Sequence, residues 1–502
     1  MTDYDVAICG LGPVGLLLAL LLGDHGLRVL AFDKDDEPYV LPRAAVIDDE
    51  VLRIFQAVAV DEAILADSQV QPGASIVTAA GRPVEIVRTR IGRLGHPPLV
   101  GINQPAIERT LTDAVRNCPT VELRRGLALE TIDQSADRVE VHARPADGDP
   151  LETISARWLV GCDGGHSTVR SQLEIAFEGR TNPQRWVVVD TIIDRRLRKV
   201  PHPYFVGRAS RPAVTLPISP GRHRWEFMLH PGEDAAPHLE PDAIRAAMEE
   251  WLDGEQAEIE RAVVYAFHTR MATPWRRGRA LLAGDAAHLM PPFAGQGFSS
   301  GARDASNLAW KLAAVLAGAP DSLIDTYEVE RRPHVAAMQR LAHVIGGFVQ
   351  STSPWRVRAR DLFLHGIDGT RVQDFIANNL KPLPTYGDGA FATRPARRAS
   401  RRSVGTLFPQ TDRLDDRLGS GWAAVALDSV SEDALRSAGL HVVDPGSDGD
   451  WLRGHRASWA ILRPDRFVFA CGGAADIGPA VAAWRRIAPS AASAPLTFKG
   501  VR

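Results

Sequence analysis

Gly10, Gly12 and Gly15 follow the apolar run Tyr4 to Cys9 in the spacing G-x-G-x-x-G. Glycines at this spacing permit a tight turn and let backbone amides approach a pyrophosphate at the positive end of the next helix. Pro13 and Val14 fill the turn, and the helix-like run LLLALLLGDHG continues from it. A second short apolar run, Leu27 to Asp33, ends on a carboxylate about 20 residues downstream, where it can accept hydrogen bonds from an adenosine ribose. Lys34 follows directly. The motif predicts dinucleotide binding, and by itself does not separate FAD from a nicotinamide dinucleotide.

Two further turns make that separation. Asp163 and Gly164 stand in WLVGCDGGHSTVR (158–170), after a buried-strand pattern. Gly284 and Asp285 follow another such pattern and lead through His288, Pro291 and Pro292 to Gly295, Gln296 and Gly297. An aspartate at the carboxyl end of a parallel strand faces the ligand crevice, where it can hold a ribitol hydroxyl. The glycines beyond Asp285 offer backbone N–H groups to the pyrimidine edge of a flavin. Each aspartate taken singly could be a helix cap. Three such turns in this order predict a flavin cradle.

The elements that must position these turns read as an α/β chain. At 502 residues it is too long for one core, so two or three domains are expected. Strand, helix and strand open it, with helices expected at Asp48 to Val58 and Pro105 to Arg116. The runs RWVVVDTII, AVTLPI, HRWEFML and AVVYAFHT between 181 and 269 alternate like strands of a separate, mostly antiparallel sheet. RALLAGDAAHLMPP then returns to the earlier style. The expected division is a Rossmann-like FAD-binding domain in three parts (1–75, 101–180, 270–345) with an inserted β-rich substrate domain (76–100 and 181–269). A helical linker (346–400) and a C-terminal unit (401–502) complete it.

Composition excludes several classes. A net charge of −3, with arginines scattered among carboxylates, gives no basic field for nucleic acid or a membrane surface. The four cysteines form no C-x-x-C, so neither a disulfide framework nor a metal site is expected, and a cytoplasmic location fits. The apolar run from Val14 to Leu22 is too short to span a bilayer.

The segments LPRAAVIDDEVLR (41–53), WLVGCDGGHSTVR (158–170), FEGRTNPQRWVVVD (177–190) and RALLAGDAAHLMPPFAGQGFSSGARDASNLAWKL (279–312) resemble the class A flavoprotein aromatic hydroxylases. The likeness is strongest to the 3-(3-hydroxyphenyl)propionate hydroxylase-like group, and aromatic polyketide hydroxylases share nearly the same motifs. It implies FAD held non-covalently, since no cysteine or histidine stands where family members tether flavin, with Gly10, Gly12, Gly15 and Asp33 at its adenosine half. Arg43 is implied near the phosphates and ribitol, and Gln104 and Asp285 at the ribitol. Gly295 to Gly297 are implied against the ring, and Asp163 and Gly164 at both FAD and a transient NADH or NADPH. SWAILRPDRFVFACGG (458–473) resembles the last hairpin of a thioredoxin-like appendage, in which Cys471 stands alone.

The implied reaction is hydroxylation of a small phenolic substrate by O₂ through a flavin C4a-hydroperoxide, by a monomer or homodimer. A polyketide hydroxylase, or a flavin oxidase or dehydrogenase on the same cradle, is the alternative. Attack on a phenol needs a base or acceptor beside the hydroxyl. Candidates are Asp48, Asp49 and His288, against cap and core readings of each, with Pro292 stiffening the loop beside the ring. His202, Tyr204, Arg211, Trp225 and Phe227 are candidate substrate residues, although core packing explains Trp225 and Phe227 equally well.

Overall fold

The structure, a computed structural model, describes residues 3–38, 43–392 and 402–488. The ends of the expected linker and C-terminal unit (393–401 and 489–502), and Leu41 and Pro42, lie outside the described residues.

Five strands form a parallel array in the order 280–282, 152–161, 4–9, 29–32, 121–124. Val6, Ala7, Ile8, Val29, Leu30 and Ala31 are fully buried, as expected of strands covered on both faces. All five strands point one way, so the turns after Cys9, Gly161 and Leu282 gather at one edge of the sheet. The helix Pro13–Asp24 is apolar on every side and buried, packing against the helices Gln104–Arg116 and Gly297–Leu316. Among the described residues no helix is long and apolar enough to cross a membrane.

A second sheet of eight strands is mostly antiparallel, in the order 288–289, 258–273, 176–192, 222–228, 213–219, 204–206, 73–77, 83–88. The strands Ala176–Ile192 and Glu258–Thr273 are long because each begins or ends beside the parallel sheet and continues through the second one. On one face Trp225, Phe227, Val187 and Val189 pack with Ile244 and Met248 of the helix Pro241–Met248. The other face is turned toward the three gathered turns.

The C-terminal residues form a four-stranded sheet in the order 441–443, 423–426, 459–462, 468–472. The first pair is parallel and the other two pairs are antiparallel. Cys471 is buried there, its thiol pushed up to about 12 by burial. Buried ion pairs fasten this sheet to the rest: Arg463 with Glu330 at 2.9 Å, and Arg53 with Asp415 at 2.6 Å.

Candidate active site

Between the gathered turns and the second sheet lies a cavity of about 1070 Å³. Gly12, Pro13, Val14, Arg43, Gln104, Gly164, Asp285, Pro292, Gly295, Gln296 and Gly297 line it, all singled out by sequence.

The glycines divide into two kinds. A Cβ on Gly10 would lie 2.5 Å from the Cys162 carbonyl oxygen, and one on Gly15 only 2.0 Å from the Gly10 carbonyl oxygen. These two let backbone pack on backbone. A Cβ on Gly12 or Gly164 would meet no protein atom within 4 Å, and both residues face the cavity. Gly12 also precedes the helix Pro13–Asp24, which has neither a side-chain cap nor an acidic first turn. Its first N–H groups are the ready site for an anion. The Asp33 carboxylate accepts the Leu11 N–H at 2.7 Å and the Asp35 N–H at 3.1 Å, so it braces the glycine loop. Lys34 is at the surface beside Asp35.

Asp163 spends one oxygen on the Val169 N–H at 3.0 Å, in support of a short helix whose cap is Ser167. Its other oxygen is buried without a partner, and burial raises its pKa. An orphaned oxygen behind open glycines suits a polar ligand. Asp285 is exposed toward the cavity, yet the surrounding protein desolvates it enough to raise its pKa, against the pull of His288 and Arg43. On the far side, Gly297 opens the helix Gly297–Leu316, again without a side-chain cap or first-turn acid. Gly295 holds a left-handed turn at φ 61°. Together these features fit a flavin dinucleotide: an anion site, a hydroxyl acceptor and a ring loop rich in free backbone donors.

The family model described as "FAD binding domain" matches residues 3–342. The 3-(3-hydroxy-phenyl)propionate/3-hydroxycinnamic acid hydroxylase of Escherichia coli O8 (strain IAI1) is 34% identical over 93% of this chain and 92% of its own. The chain belongs to the class A flavoprotein aromatic hydroxylases. The structure of the anhydrotetracycline hydroxylase of Streptomyces rimosus is 27% identical over 98% of this chain and 99% of its own, with a TM-score of 0.74. The flavin-dependent monooxygenase PieE, at 21% identity over 97% of this chain and 99% of its own, shares the fold with a TM-score of 0.78.

In this hydroxylase several residues expected at the site do other work. Gln104 lines the cavity, but its amide oxygen accepts the Ala44 N–H at 2.6 Å and its nitrogen donates to Glu108 at 2.7 Å. It holds the segment that carries Arg43. Asp48 caps the helix Asp49–Ala57 through the Val51 N–H. It also accepts Arg303 at 2.5 Å and Lys381 at 2.8 Å. Burial opposes its ionisation, but those two cations hold its pKa far below the ordinary range, so it is a standing carboxylate and not a proton carrier. Asp49 lines the cavity with a pKa raised to about 6 by burial. Although Asp48, Asp49 and Glu50 cluster like metal ligands, Arg303 and Lys381 meet their charges.

His288 does not reach the cavity: it is buried, donating Nε2–H to Asp304 at 2.6 Å when that nitrogen carries the proton. The substrate candidates are likewise elsewhere. Trp225 and Phe227 point into the core on the covered face of the second sheet. Arg211 is clasped by Glu233 at 2.7 Å, and His202 bonds Ser75 and stacks edge-on against Tyr204. None of the five lines the cavity. Their place is taken by Val188, Phe205, Val214, Leu216, Arg224, Glu226, Tyr265 and Phe267. Strand alternation contained the signal for some of these, since Arg224 and Glu226 are the odd-face neighbours of Trp225 and Phe227.

Asp285→Ala is expected to weaken FAD binding by about 1.5–3 kcal/mol, roughly 10- to 150-fold, through loss of a charged acceptor for a ribitol hydroxyl. Fluorescence titration of the folded apoprotein with FAD measures it, and an unchanged affinity would remove Asp285 from the cradle.

Proposed function

We propose that this flavoprotein takes NADH or NADPH and O₂ and hydroxylates a phenolic acid of the 3-hydroxyphenylpropionate type. Bound FAD supplies the electrons that activate O₂ for transfer of one oxygen atom to the ring. The observation that carries the reading is the cavity wall. One side is the loop Pro292 to Gly297 and the other an apolar sheet face of Val188, Val214, Leu216, Phe205 and Phe267. A flat aromatic ring fits between them, shielded from water. Pro292 opens the short helical turn Pro292–Ala294, whose Phe293 packs edge-on against Trp186 and Phe267, so the loop is anchored to the sheet at one end of the cavity.

Arg88 and Arg90 line the same cavity. Arg88 is held by Glu85 and Asp374, whereas Arg90 has no ion-pair partner among the described residues. Arg90 is therefore assigned to the substrate carboxylate. The volume of the cavity also favours a larger, polyketide-type aromatic as a second reading. For the chain as a whole we read three FAD-binding parts, an inserted substrate sheet, and a C-terminal unit of thioredoxin-like type. The parallel pair followed by an antiparallel hairpin supports that last reading. The four free thiols suit a reducing cytoplasm.

The test is anaerobic stopped-flow reduction of the bound flavin by NADH and NADPH, with and without candidate aromatics, followed by product analysis in air. Reduction accelerated by 3-hydroxyphenylpropionate-type acids, with one oxygen gained by the ring, is expected. Arg90→Gln should raise KM for these acids about 10-fold while leaving a phenol without a carboxylate unaffected. Reduction equally fast with no aromatic present would point to a flavin oxidase, and acceleration by fused-ring aromatics alone to the polyketide reading.

A further inference from the structure

Glu226 lies in the strand Arg222–Met228 and is more than nine-tenths buried. Its side chain lines the cavity. Its cross-strand neighbours are Val188 on one side and Val214 on the other, so no polar residue flanks it in the sheet. The nearest cation is already committed. Arg224 gives Nε and Nη2 to Asp190 at 2.7 and 3.0 Å, and Nη1 to the Arg43 carbonyl at 2.8 Å. Glu226 itself accepts no hydrogen bond from any described residue. A buried carboxyl left without a partner is costly, and such groups are kept where a ligand supplies the missing donor.

We infer that Glu226 accepts the hydrogen bond of the substrate's phenolic hydroxyl and takes its proton as the ring is attacked. The inference rests on the phenol reading above. A carboxylate at this point repels the substrate's own carboxylate and attracts a donor, so it also orients the ring, hydroxyl toward the sheet. The chemistry balances. The phenol O–H bond breaks, the proton goes to a Glu226 carboxylate oxygen, and the bonding pair moves into the ring. The ortho or para carbon then bonds one oxygen atom of O₂. That carbon loses its hydrogen as a proton when the ring becomes aromatic again. The second oxygen atom leaves as water, and NADH or NADPH supplies the two electrons.

The surroundings suit a base that works near neutrality. Burial raises the Glu226 pKa, Arg224 lowers it in part and Asp190 opposes Arg224, leaving it at about 7. The other charged or titratable groups on this face are Arg261 and Tyr265 of the strand Glu258–Thr273, which bond each other, and Arg222, which pairs with Glu260 at 3.1 Å. Arg43, Asp48, Asp49, Arg88, Arg90 and Lys381 belong to the remaining cavity wall.

Glu226→Gln keeps the volume and removes the base, and it is tested as FAD-loaded enzyme beside wild type. In wild type, kcat/KM should rise with pH through about 7 as the carboxylate ionises. In the variant that limb should vanish and kcat/KM should fall about 100- to 1000-fold. Binding without turnover gives a second readout. Calorimetry on the oxidised enzyme should show affinity for 3-(3-hydroxyphenyl)propionate rising with pH in wild type and not in the variant. Stability gives a third. The folded Glu226 holds its proton to higher pH than the unfolded chain, so it lowers stability as pH rises from the usual glutamate range to about 7. Glu226→Gln should therefore leave the Tm of the apoprotein unchanged or higher above that pH.

A variant that keeps both the rate and the pH limb while wild type hydroxylates phenols overturns the assignment and leaves the phenol reading standing. A lowered Tm with phenol and non-phenol binding lost alike shows a structural role and also overturns it. A wild type that neither binds nor hydroxylates any phenol overturns both.

Discussion

Asp304→Ala is expected to destabilise the folded protein by about 3–5 kcal/mol, the cost of leaving a buried charge without its partner. The carboxylate is wholly buried and saturated. Oδ1 accepts Arg331 Nε at 2.8 Å, while Oδ2 accepts His288 Nε2 at 2.6 Å and the Gly284 N–H at 3.1 Å. Arg331 is itself fully buried, so truncation strands its guanidinium. The Gly284 N–H fixes the turn that presents Asp285, so loss of FAD should accompany loss of stability. Burial opposes ionisation of Asp304, but His288 and Arg331 outweigh it and its pKa is lowered. The stability it contributes is therefore present above the usual aspartate pKa near 4 and lost as pH falls through the depressed folded value. Denaturant unfolding of apoprotein at neutral and acid pH measures both effects. A midpoint unmoved at neutral pH would show that the network is not stabilising, and Asp304→Asn, which keeps one acceptor, should fall between.

Gly15→Ala should reduce FAD affinity by roughly 100-fold or more, a loss of about 3 kcal/mol. The new methyl would lie 2.0 Å from the Gly10 carbonyl oxygen and 3.3 Å from Cys162 Cβ. The obstacle is backbone, so the helix Pro13–Asp24 must shift from the turn that it completes. Its free N–H groups then move from the pyrophosphate position, and the apoprotein should also melt earlier. Gly12→Ala makes the informative contrast. Gly12 has an ordinary φ of −73° and open space beside it. The apoprotein of that variant should melt like wild type and still bind FAD poorly, because the methyl enters space meant for the ligand. FAD titration paired with thermal melts separates the two cases. Equal melting of both variants with full FAD affinity would contradict the division of labour among these glycines.

The cradle was legible because its demands are local. A strand, a turn too tight for a Cβ and a helix beginning without a cap are properties of adjacent residues, so Gly10, Gly12 and Gly15 could be read before any packing was known. The same holds for Asp285 and for Gly295 to Gly297, whose places on the cavity wall follow from the end of one strand and the start of one helix. Asp48 shows where local reading stops. Its capping of Val51 was foreseeable from Asp-Asp-Glu, but its loss of acid–base function depends on Arg303 and Lys381, brought from more than 250 positions away. His288 was drawn from the cavity by Asp304 in the same way, since a buried imidazole goes where a buried carboxylate is.

Sequence by itself determined which residues of each strand share a face, because side chains alternate along a strand whatever surrounds it. It therefore grouped Trp225 with Phe227, and by the same parity Arg224 with Glu226. Which group lines the cavity was decided only by tertiary structure. The helix Pro241–Met248 covers the aromatic face, where Trp225 and Phe227 gain most by leaving water, and the gathered turns close over the other. Charge at a buried position is tolerable only where partners or a ligand answer it, and those partners come from elements distant in the chain. For that reason the turns on one side of the cavity could be read along the sequence, while the wall opposite them appeared only when the two sheets faced each other.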